Sequence, residues 1–160
     1  MKHINKYKMA HCVSVAEFMR ERAADYNINS DIAYIVGLLH DVGYLQGRVG
    51  HEIYGAQLLR NLGVYEEACF AIEHHGESLC DIEREFGTNA ISSLLVLLIE
   101  ADSSVDATGV RVGFVGRLKD IAKRYGKQHK AYEVVKNNIN FVIHYCNTHN
   151  ISMKCTRWSY

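Results

Sequence analysis

Apolar residues in this chain recur mostly at helical spacing, and no proline interrupts them anywhere along its 160 residues. No segment shows the strict alternation of a half-buried strand bounded by hairpin turns, so the pattern predicts an all-α fold. Met9, Val13, Ala16 and Met19 trace one stripe of a first helix over about 8–25. Asn29-Ser30-Asp31 offers N-caps for a second helix ending near Asp41-Val42-Gly43, with Gly43 as its stop. Helices follow over about 51–61, closed by Gly63, and about 65–75, closed by Gly76. Thr88-Asn89 is placed to cap a long apolar helix through Ala101-Asp102, and two more helices span about 113–124 and 129–148. The expectation is one compact domain over 1–160, with about six to seven helices.

Composition narrows the function classes. Eighteen basic and eighteen acidic side chains give zero formal charge, so no overall field draws nucleic acid or anionic lipid, and any phosphate-binding surface is local. The longest apolar run, 94–99, is far short of the roughly 20 residues of a bilayer span. Met1-Lys2-His3-Ile4-Asn5-Lys6 lacks the apolar core of an export signal. Five scattered cysteines without a C-x-x-C pair suit free thiols in a reduced cytoplasm rather than a thiolate zinc site.

The chemistry concentrates in a series of histidines and aspartates: His11, then His40-Asp41 after an apolar run, His51, His74-His75, and Asp102. Imidazole and carboxylate together suit Mn, Fe, Co, Ni or Zn. His11 comes from the first helix, His40 and Asp41 from the second and Asp102 from the long apolar one, and the four form a plausible primary site. Adjacent helical residues point about 100° apart, so His40 and Asp41 can converge only at a frayed last turn. There Asp41 can bridge two ions, with His51 and His74 or His75 serving the second. Taken alone, each histidine is more often a surface or hydrogen-bonded core side chain. His3, His129, His144 and His149 match no pattern and keep that reading. Asp102 ends a nearly all-apolar helix, where a carboxylate needs a counter-charge.

Leu38-Leu39-His40-Asp41-Val42-Gly43 resembles the core motif of the HD-domain superfamily of metal-dependent phosphohydrolases. His51-Glu52-Ile53-Tyr54-Gly55-Ala56 resembles its following H-x-x-x-G-A element, and Ile72-Glu73-His74-His75-Gly76-Glu77 is similar to the HHGE element of the ribonuclease Y and HD-GYP branches. Glu100-Ala101-Asp102 resembles the closing A-D motif. Over about 8–125, the resemblance implies an all-helical fold and hydrolysis of phosphate esters or anhydrides. It implies His11, His40, Asp41 and Asp102 as first-metal ligands, and His51, His74 and His75 as second-metal ligands of the bimetallic branches. No Gly-Tyr-Pro follows His75, which points away from cyclic-dinucleotide diesterases.

Asp41, His51 and His75 are the catalytic candidates, either histidine being placed to protonate a leaving group. Glu77 and Asp106 are candidates for orienting a ligand from behind, and Asp106 could equally cap the next segment. Residues 111–130 carry seven bases against Asp120 alone. A solvated face explains most of these, while Arg111 or Arg117 suits a substrate phosphate. Tyr44, standing where many members carry a lysine, is a further substrate-facing candidate. Tyr125, Tyr132, Trp158 and Tyr160 are candidates to stack a base.

The leading expectation is therefore a cytoplasmic phosphohydrolase with two divalent ions, acting on a nucleotide or small phosphorylated metabolite. A phosphodiesterase or nuclease using the same centre, and a non-catalytic metal-binding signalling module, are the competing readings. A homodimer through the long C-terminal helix is open.

Overall fold

The computed structural model describes residues 5–153. Among them eight α-helices form, with three short 3-10 turns and a single isolated antiparallel bridge, Val105 to Arg111. The helices are α1 (Lys6–Arg22), α2 (Ser30–Leu39), α3 (His51–Asn61), α4 (Glu66–His74), α5 (Leu79–Phe86), α6 (Ser93–Asp102), α7 (Gly113–Tyr125) and α8 (Lys130–Thr148). Trp158 and Tyr160 lie outside the described residues. No helix is long and apolar enough to cross a membrane.

α6 is the axis of the molecule. Every residue from 94 to 101 is buried, as expected for a helix apolar on all sides. α1, α2, α4 and α8 pack around it, α1 also lies along α2, and α3 covers α4. A polar group is buried within this core. Glu100, fully buried, faces the Arg22 guanidinium at 3.2 Å and accepts the Tyr26 hydroxyl at 2.7 Å. This group ties the end of α1 to α6.

Four features differ from the pattern expected of the sequence. α1 buries His11, Cys12, Val15, Ala16, Phe18, Met19 and Arg22, while Met9 and Val13 are exposed. The inner face is turned by the need to bury His11 and Arg22, which hydropathy does not mark. α2 stops at Leu39, and Gly43 is not its terminator. A Cβ at Gly43 would stand 1.8 Å from the His51 carbonyl oxygen, so Gly43 is required by the close approach of α3. Thr88–Ala90 is a 3-10 turn, and α6 begins later, where the Ser92 hydroxyl accepts from the Leu95 N–H. α5 is an additional helix that the sequence reading did not assign; it is short and buries only Leu79 and Ile82. It is anchored instead from α8, where the Asn138 side chain accepts from Leu79 N and donates to Glu77 O, each at 2.8 Å.

Candidate metal centre

Two helix ends build the heart of the site by the same local rule. The last carbonyls of a helix have no intrahelical partner. His40, capping α2, donates Nδ1–H to Gly37 O at 2.7 Å, and His75, capping α4, donates to Ile72 O at 2.6 Å. At the start of α3, His51 donates in the same way to Arg48 O at 3.0 Å. His11, inside α1, uses a distant carbonyl, Asp106 O, at 2.8 Å. A carbonyl only accepts, so Nδ1 carries the proton in all four rings. In the neutral ring Nε2 is then a lone pair, the arrangement by which outer contacts prepare imidazole for a cation.

These Nε2 atoms converge on two carboxylates. Asp41 has left the helix, at φ −104° and ψ 13°, so its side chain swings back beside His40. Its Oδ2 lies 3.1 Å from His40 Nε2 and 3.9 Å from His11 Nε2. Its Oδ1 lies 3.0 Å from His51 Nε2 and 3.7 Å from His75 Nε2. Asp102, at the end of α6, brings Oδ1 to 2.9 Å from His11 Nε2, with Arg117 at 3.6 Å. Two groups of potential ligands result: His11, His40 and Asp102, and Asp41, His51 and His75. Burial would raise both carboxyls. Where the rings carry a second proton, the imidazolium groups facing Asp41, and Arg117 with His11 beside Asp102, outweigh it and hold both well below the usual carboxylate range.

His40 tests whether these residues fit a divalent ion. Its Nε2 is buried without a hydrogen-bond partner, although Asp41 is close. A buried lone pair aimed at a carboxylate oxygen is costly unless a cation stands between them. The donors fit. Cys12 also lies near His40 and Asp41, but burial pushes its thiol up to about 12, so it does not offer a thiolate at neutral pH.

The other candidates separate clearly. His74 points away from the centre, with Nδ1 3.0 Å from Glu77 Oε1 and its ring against Phe70 and Phe86. Glu77 is exposed and reaches His74 rather than a ligand histidine. Asp106 makes two kinds of contact through different atoms. Its carbonyl orients His11, while its carboxylate caps the loop through Thr108 and Val110 N–H groups at 2.8 and 3.0 Å. Arg111 pairs with Glu21 on the exposed surface, at 2.6 Å. Arg117 instead lines a cavity of about 460 Å³ that opens onto the histidines, together with Tyr44, Arg124 and Tyr125. Tyr132 does not line it.

Lys8 and Glu52 are among the cavity residues that escaped the sequence reading. The Lys8 ammonium lies 2.7 Å from Asp41 Oδ2, and Glu52 lies 3.1 Å from His51 Nδ1. Lys8 sits one helical turn before His11, which was the available signal. Burial alone would lower its ammonium, and Asp41 more than offsets this and raises it.

The chain belongs to the HD-domain family, whose family model matches residues 9–104 and so spans every candidate ligand. HD domains are generally metal-dependent hydrolases. The chain is also similar to the uncharacterized protein MJ0778 of Methanocaldococcus jannaschii, 31% identical over 132 residues that cover 74% of this chain and 78% of that protein. No solved structure matches.

Proposed function

We propose that this protein is a phosphohydrolase with a dinuclear divalent-metal centre, acting on a nucleotide or another small phosphorylated metabolite. The observation that carries the reading is Asp41, whose two oxygens each face a separate pair of oriented imidazoles. His11, His40, Asp102 and Asp41 Oδ2 would hold one ion. His51, His75 and Asp41 Oδ1 would hold the other.

Such ions, from the Mn, Fe, Co, Ni and Zn series, supply a water nucleophile usable near neutral pH and a Lewis acid for phosphoryl oxygens. The chain contributes orientation and charge. Arg117 and Arg124 line the cavity and offer guanidinium groups to non-bridging oxygens, while Ile121, Val134 and Val135 form an apolar wall for the leaving group. The limited volume of the cavity, about 460 Å³, and zero net charge favour a small substrate over a long nucleic acid. The described cysteines are free thiols, which suits a reduced cytoplasm.

Purified protein supplied in turn with Mn²⁺, Fe²⁺, Co²⁺ and Ni²⁺ is assayed on nucleotides, dinucleoside polyphosphates and aryl phosphates. Hydrolysis of at least one of them, read as its own product (phosphate, nucleotide or phenol) and abolished by Asp41→Asn, is the expected result. Metal binding without turnover on any substrate would instead make this a non-catalytic module.

A further inference from the structure

Lys8 approaches the centre differently from every histidine. Its ammonium donates to Asp41 Oδ2, the oxygen facing His40 and His11. It also lies over the Tyr44 ring, 4.2 Å from the centroid, and that ring packs on His51 with centroids 4.0 Å apart. The Lys8 side chain keeps 25% exposure and lines the cavity. The charge opposite Asp41 is thus carried on a flexible stem that opens toward the substrate space, whereas each imidazole is pinned by a carbonyl.

We infer that Lys8 is a phosphate-binding residue that competes with the metal for Asp41, an inference that rests on the metal-centre reading above. An ammonium and a divalent ion on one carboxylate oxygen repel each other, so an ion held by Oδ2 drives Lys8 outward. The face of Tyr44 retains the ammonium at the edge of the cavity, where it meets a phosphoryl oxygen of the substrate. Arg117 is less free to make this move, since its guanidinium lies 3.6 Å from Asp102 and 3.2 Å from Asp120. Removing the Lys8 charge therefore has effects of opposite sign on the two ligands. Metal binding tightens, and phosphate binding to the loaded protein weakens.

Calorimetric titration of Mn²⁺ into the wild type and Lys8→Met, followed by inorganic phosphate into each Mn²⁺-loaded protein, reads both effects. Lys8→Met should bind Mn²⁺ more tightly and phosphate more weakly, each by about tenfold, as for loss of one charge-assisted contact. Lys6→Met, on an exposed part of the same helix, should leave both constants unchanged. Unaltered phosphate affinity in Lys8→Met, looser Mn²⁺ binding, or equal effects from Lys6→Met would overturn the role of Lys8. Wild-type protein that takes up no Mn²⁺ would overturn the metal-centre reading itself, and this inference with it.

Discussion

His74 and His75 are neighbours in sequence with opposite surroundings. His75 caps α4 and turns its ring back onto Ile72 O, just as His40 caps α2 and turns onto Gly37 O. His74, still inside the helix, is directed to Phe70, Phe86 and Glu77. The residue types were legible in the sequence, but the choice between them depends on where α4 ends to within one residue, which sequence patterns do not resolve. His75→Ala should weaken Mn²⁺ binding about tenfold or more, while His74→Ala should stay within about twofold of the wild type. Calorimetric titration of the two variants compares them directly, and the reverse ranking would contradict this ligand set. Lys8 and Glu52 were missed for a related reason. Neither belongs to a metal-ligand pattern, and both are brought in by helical spacing and by the approach of α3.

At the scale of elements, helix identity was readable wherever a long apolar period existed, and boundaries were not. α6 announces itself by its composition, yet its start is set by the Ser92 cap rather than by Thr88-Asn89. α5, only eight residues long, was passed over in the sequence, and its anchor, Asn138, is supplied by a helix distant in sequence. The stripe assigned to α1 held at Ala16 and Met19 but not at Met9 and Val13, because the buried face also carries His11 and Arg22, whose partners lie on other elements. Gly43 shows how such packing reaches the site. The backbone of α3 presses against it, and this contact sets where His51 enters. Gly43→Ala should cost about 2 kcal/mol in urea unfolding and should weaken metal binding by shifting His51. A variant with wild-type stability and metal affinity would show that this approach does not position the ligand.

At the scale of the whole molecule, the buried group of Arg22, Tyr26 and Glu100 couples α1 to the central helix from within the core. Burial raises the Glu100 carboxyl above its ordinary value of 4.5, outweighing Arg22 and Tyr26. A carboxyl raised in the folded state contributes stability that is complete below its unfolded value and is lost as pH rises through the folded one. Gln keeps the side chain neutral at every pH. The Tm of Glu100→Gln should therefore gain on the wild type as pH rises from about 4 toward neutrality. Thermal unfolding across that range measures it, and a variant that instead falls further behind would reverse the sign assigned to Glu100. The all-α architecture was legible because helices dominate the apolar pattern, whereas this polar core group was not, because its members are far apart along the chain.

The central claim is that Asp41 joins two ion sites, one served by His11, His40 and Asp102 and the other by His51 and His75. Metal analysis of anaerobically purified protein, with His51→Ala beside the wild type, tests it most directly. The account predicts two divalent ions per chain in the wild type and one in His51→Ala. A firm value of one in the wild type, unchanged by His51→Ala, would contradict it.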